Sequence, residues 1–313
     1  MRCVLIKGAC QSVIFTSFRR VNLPGQCPSQ DLSKNLSLSP LHHSFVHLRR
    51  VTDGSIPTQI PSETVTVPIP AETAPVPGEV RLSTGQRRAL AICEILLCSS
   101  VPTQLSIVGF MQAAGWGLGT EPSLPAIAFL GAADTALLIG IMVAITRAHG
   151  GSIKELWLGH RHPLGEAMLG LLLVVPVFII VGVVMTVLMQ FVPSLHNVPV
   201  NPFEELATGG ARDAALLGVV AILAGGLREE LQRAFLLQRF ERHLGGPIVG
   251  VVVLSLAFGL GHYPQGWDAT ITTGLLGAFW GIVYLRRRST VAPMVSHALF
   301  NAIQVASVAF LST

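Results

Sequence analysis

Charge is what this sequence has least of. Only 12% of its 313 residues are charged and 6% aromatic, half are hydrophobic, and the mean hydropathy is +0.60. A soluble globular domain carries about 25% charged residues, so a water-solvated globule is excluded. Cysteine is scarce too: Cys3, Cys10, Cys27, Cys93 and Cys98 form neither a CxxC spacing nor a Cys/His cluster. A disulfide framework and a structural zinc site therefore lack support. No HExxH helix and no GxSxG elbow is present, which removes the zincin and serine-hydrolase routes to hydrolysis. The net charge of +4 comes from Arg and Lys in an N-terminal tail and in short loops between apolar blocks. That is the distribution of membrane flanks, and it gives no nucleic-acid footprint.

Residues 1–85 differ from all that follows. They are rich in Ser, Pro and Thr, lack a long apolar run, and include the Pro-studded stretch Pro57 to Pro77. Such a composition predicts a disordered cytoplasmic tail and extended linker. The first fifty residues hold seven basic residues against the single acid Asp31. No apolar core with a small-residue cleavage site follows, so a cleaved signal is not expected.

Residues 86–313 form the second unit, a membrane-spanning helical domain opening on the cap pair Ser83-Thr84. Seven apolar blocks recur, at about 88–112, 124–146, 165–191, 213–238, 247–262, 269–285 and 291–311. Each is near the ~17 to 25 residues that a spanning helix needs, the fifth being short. Basic residues mark alternate connections: Arg87-Arg88, then Arg147, Lys154 and Arg161, then Arg239 and Arg242, then Arg286-Arg287-Arg288. The positive-inside rule turns that alternation into seven spans with the N-terminus cytoplasmic. A re-entrant or eighth segment at Tyr263–Trp267 would change the count only. The fold class is thus all-α, a polytopic transmembrane bundle of about seven spans.

Ionisable side chains inside such helices are expensive and normally have a partner or a task. The fourth block ends Arg228-Glu229-Glu230-Leu231-Gln232-Arg233, four charges within six residues. Glu229 and Arg233, four apart, share a helical face in the favourable order for an ion pair. The fifth block closes on Phe258-Gly259-Leu260-Gly261-His262, and the seventh holds His297 and Asn301 one turn apart. Asp134 and Glu94 lie in the second and first blocks as interior or near-interface acids.

Taken together, these segments resemble the CPBP family of intramembrane endopeptidases, which includes the type II CAAX prenyl proteases and bacteriocin-processing enzymes. That family writes Glu-Glu-x-x-x-Arg, Phe-x-x-x-His and His-x-x-x-Asn or Asp on successive helices. Phe258 to His262 and His297 to Asn301 match the second and third in order and spacing, within a motif core of residues 213–311. The first departs: registering on Arg233 places Glu229 at the second Glu and Arg228 at the first, with Glu230 one residue late.

The resemblance implies an intramembrane endopeptidase that cuts a membrane-associated or lipid-modified peptide or protein. Its site would draw on Glu229, Glu230, His262, His297 and Asn301, with Arg233 and Phe258 in support. A carboxylate would activate water, while the imidazoles and the amide hold the water or the oxyanion. The same set could bind a zinc-type ion through His262 and His297, or work without metal. The partners implied are the bilayer and a peptide substrate, and the setting a bacterial plasma membrane. Two other readings compete: a non-catalytic peptide-binding or immunity-type membrane protein, for which Arg228 speaks, and a transporter using Asp134 and Glu94.

Overall fold

The computed structural model describes residues 82–116, 123–199, 201–207 and 209–311. The tail and linker expected over 1–85 lie, up to residue 81, outside the described residues. Among the described residues every regular element is helical. In chain order these are α1 (Thr84–Leu97), α2 (Val101–Ala113), α3 (Leu124–Ala148), α4 (Ile153–Trp157), α5 (Pro163–Phe191), α6 (Pro202–Ala207) and α7 (Ala211–Val220). A π-helical segment, Ala221–Glu229, runs directly into α8 (Glu230–His243), followed by α9 (Pro247–Gly261), α10 (Trp267–Arg287) and α11 (Val291–Leu311).

Four helices, α3, α5, α10 and α11, are long and apolar enough to cross a membrane, and the bent pair α1–α2 makes up to five. Among the described residues the seven apolar blocks all become helix, but two fall short of the length or the hydropathy of a span. The fourth is divided among α7, the π segment and the charged α8, and the fifth, α9, has only 15 residues. On α5 the residues Leu172, Val175, Ile179 and Val183 are more than half exposed. A helix apolar all round and still uncovered by protein suits acyl chains as its solvent.

The α1–α2 break is built from polar contacts. Ser100 adopts left-handed backbone, φ 68°, and the two helices meet at 40°. A break frees carbonyls that lipid cannot satisfy. Gln232 of α8 donates to the Cys98 carbonyl at 2.6 Å, and the Thr103 hydroxyl donates to the Ser100 carbonyl at 3.0 Å. The break is thereby sealed against α8, beside a cluster of Cys98, Leu138, Met142, Leu231 and Phe235.

Small residues bring the remaining helices together, as expected where lipid gives no hydrophobic drive for helix association. A Cβ on Gly259 of α9 would stand 2.5 Å from the Thr270 carbonyl oxygen of α10. A Cβ on Gly226 of the π segment would stand 2.5 Å from the Ala298 Cβ of α11. This second approach presses the charged turn onto α11. Gly226→Val should therefore lower stability by about 1–3 kcal/mol, the typical cost of overpacking. Thermal unfolding in detergent measures it, with Gly165→Ala as the control expected to be near neutral, since nothing lies within 4 Å of that position.

Candidate active site

His297 occupies the centre of the charged cluster. Its position on α11 is 4% exposed, and its ring stacks on Trp280 of α10 with centroids 3.9 Å apart and planes 14° from parallel. Trp280 is in turn held by its indole N–H, which donates to the Ser296 hydroxyl at 3.3 Å. The imidazole is flanked by both glutamates. Nδ1 lies 2.8 Å from Glu230 Oε1, and Nε2 lies 3.9 Å from Glu229 Oε2.

The carboxylates differ in their surroundings. Glu230 is 1% exposed and its Oε1 also accepts from Arg233, while Oε2 has no protein partner. An ionised carboxylate so paired only accepts, so Nδ1–H of His297 is the donor and Nε2 is left as an acceptor. Glu229 is more open, its side chain 18% exposed, with Oε1 accepting from Arg228 at 3.0 Å.

Arg233 therefore pairs with Glu230, three residues back, and not with Glu229 as the four-residue spacing predicts. The π segment ends on Glu229. Glu229 itself has α-helical backbone, so the pairing follows from the surrounding side chains: Arg228 holds Glu229, while His297 and Arg233 share Glu230. Arg233 also lies over the Phe258 ring at 4.9 Å and near Trp280 at 5.9 Å.

Arg228, the residue that departs from the family pattern, turns the other way. It donates to Asp134 of α3, to the Ser100 hydroxyl at 3.2 Å and to Glu229. Asp134 is fully buried and takes further hydrogen bonds from Thr103 and from Gln104 at 3.2 Å. The site is thus one chain of carboxylates alternating with arginine or imidazole, Asp134, Arg228, Glu229, His297, Glu230 and Arg233, crossing from α3 to α11.

Asn301 lies one turn beyond His297 and uses one of its two N–H groups on the Ala221 carbonyl at 3.2 Å. Gly225 keeps the space beside both open, since a Cβ there would stand 2.3 Å from Asn301 Nδ2 and 3.6 Å from His297 Nε2. His262 reaches the cluster through Phe258, whose ring sits edge-on to both imidazoles at centroid distances of 4.7 and 6.2 Å. Its Nδ1 donates to the Phe258 carbonyl at 2.8 Å. All seven residues singled out in the sequence are thus in one neighbourhood, His262 at its edge.

Sequence reasoning missed the contribution of Asp134, Ser100, Gly225 and Trp280. A buried acid on a distant helix was the one available signal for Asp134; a lone Trp in an apolar block gave none. Among the described residues no group of three or more His, Cys, Asp and Glu is arranged to hold a metal ion. Each imidazole has Nδ1 already committed, and the remaining nitrogens do not gather with carboxylates into a three-ligand set. The side chains present do not fit a zinc-type centre.

Residues 211–303 match the family model of type II CAAX prenyl endopeptidase Rce1-like proteins. Over these residues the chain is similar to the CPBP/CAAX protease family. The match runs from the start of α7 into α11, so it contains every glutamate, histidine and asparagine of the cluster. No curated protein and no solved structure matches the chain. The long apolar helices, with this similarity, make it an integral membrane protein.

The charge chain gives a direct test of Arg228. Removing one partner of a buried pair leaves the other uncompensated, at about 3–5 kcal/mol, whereas replacing both with apolar groups is often neutral. Arg228→Leu should therefore destabilise strongly, and Arg228→Leu with Asp134→Leu should recover most of the loss. Thermal unfolding of the two single variants and the double variant measures the coupling.

Proposed function

We propose that this protein is an intramembrane endopeptidase of CAAX type, hydrolysing a peptide bond in a lipid-modified or membrane-embedded substrate. One observation carries the reading: an imidazole gripped through Nδ1 by a buried carboxylate, with Nε2 facing a second, more open carboxylate at 3.9 Å. A water between Nε2 and Glu229 Oε2 would donate one hydrogen bond to each. Glu229 takes a proton as the water oxygen attacks the scissile carbonyl carbon. The second N–H of Asn301 faces the developing oxyanion. Collapse of the tetrahedral intermediate breaks the C–N bond, and Glu229 returns the proton to the leaving amine. Glu230 and Arg233 hold the imidazole in one tautomer and orientation. His262, with Nδ1–H committed to a carbonyl, donates to the oxyanion only when protonated. No step runs through a metal.

The length of α9 supports access from the bilayer. Its 15 residues rise about 22 Å, short of the ~30 Å hydrocarbon core. His262 caps that helix, with Leu256 and Leu260 exposed on the flank leading to it. Water and the peptide portion of a lipid-anchored substrate can meet at such an end. The loop charges favour an orientation with the N-terminus cytoplasmic.

A second reading, peptide binding without cleavage, is favoured by Arg228, which ties Glu229 into the Asp134 pair. A quenched fluorogenic prenylated peptide separates the two. Purified wild type should cleave it; Glu229→Gln and His297→Gln should each reduce kcat by roughly 10²–10⁴-fold, the usual span for a positioned acid-base group. Chelation should leave the rate unchanged. Binding of the peptide with no cleavage by wild type would decide for the second reading, and a rate lost to chelator and restored by zinc would overturn the metal-free route.

A further inference from the structure

A second polar site lies at the opposite end of α8 from the glutamates. Thr84, Arg87 and Arg88 on α1, with Arg242 and His243 at the end of α8, line a cleft of about 350 Å³ that contains no acidic side chain. The volume is that of a small-ligand pocket. Three acids at this end are already spent: Glu94 on Arg239 and His149, Glu166 on Arg287, and Glu241 on Arg288, which holds both its oxygens at 2.6 Å. Arg87, Arg88 and Arg242 make no ion pair among the described residues, and Arg239, buried close by, has an Nη2 without a protein partner.

The cluster consequently repels itself. Burial first, then the charges of Arg242, Arg239 and Arg87, push the His243 imidazole below its ordinary value. The walls of the cleft continue directly into uncovered apolar surface. Leu90 and Ile92 on α1 are 39% and 47% exposed, and Ile248 and Val249, just after the Gly245-Gly246 turn, are 77% and 43% exposed. A ligand that satisfies both features carries an anion on an apolar chain.

We propose that this cleft binds the phosphate of an anionic phospholipid, with Arg87, Arg88 and Arg242 around the headgroup and the acyl chains along α1 and the start of α9. The site is separate from the glutamate–histidine cluster and independent of proteolysis. Both walls must be docked for it to exist, so an occupied cleft clamps α1 to the end of α8.

The test uses the whole protein in neutral detergent, with lipid retention followed by native mass spectrometry and stability by thermal unfolding. Phosphatidylglycerol should be retained at one molecule per chain and raise the unfolding midpoint; phosphatidylcholine and inorganic phosphate should do neither. R87Q/R88Q/R242Q should weaken retention by roughly fivefold per arginine removed, while R87K/R88K/R242K, which keeps the charge that sets membrane orientation, should retain most of it. On the wild type alone, affinity should fall as salt rises. Equal retention of the neutral lipid, salt-independent affinity, or undiminished retention by the glutamine variant would overturn the proposal. A midpoint shift reproduced by inorganic phosphate would make this a free-anion site and overturn the lipid assignment.

Discussion

A charge moved into hydrocarbon must be neutralised where it stands, and the arrangement of this protein follows from that requirement. Six ionisable groups from three helices alternate in sign or proton-donor character, so that none is left to face lipid alone. Asp134 answers Arg228, Arg228 also holds Glu229, and Arg233 and His297 share Glu230. Because Asp134 and His297 come from helices other than the π segment and α8, these helices cannot drift apart without stranding a charge. The electrostatics that would tune chemistry are therefore the same contacts that fix the bundle.

Glycines in the π segment make the arrangement possible. Gly225 and Gly226 remove side chains where the π segment meets α11, so backbone approaches backbone and His297 is brought against both glutamates. Three consecutive charged residues then point in three directions: Arg228 toward α3, Glu230 toward α11, and Glu229 between them. The departure from the family's Glu-Glu-x-x-x-Arg spacing has a structural counterpart here. Arginine at that position is accommodated because α3 supplies a buried aspartate to receive it.

Much of this was legible in the sequence. Apolar blocks gave helices, the order and spacing of Phe258, His262, His297 and Asn301 gave their convergence, and the cluster Arg228–Arg233 announced an interior polar site. What was not legible depended on geometry that spacing does not encode. Whether Glu229 or Glu230 pairs with Arg233 turns on which other side chains surround each carboxylate, and no residue pattern marks that. The partnership of Arg228 with Asp134 bridges 94 positions, and the stack of Trp280 on His297 joins two apolar blocks that each read as ordinary spans. Helix and membrane crossing are different properties, and two blocks separate them: α8 is helical but carries charge, and α9 is apolar but short.

That shortness has an effect on the surrounding lipid. The 29 residues of α5 rise about 43 Å and the 15 of α9 about 22 Å, yet both meet the same bilayer. Lipid beside a segment too short for it thins, and a segment too long for its lipid tilts or thickens the neighbourhood. A bilayer fitted to both would be drawn inward next to α9, toward His262, and stay thick along α5. Such a fit would set a lateral gradient of membrane thickness around the protein, thinnest where His262 ends α9.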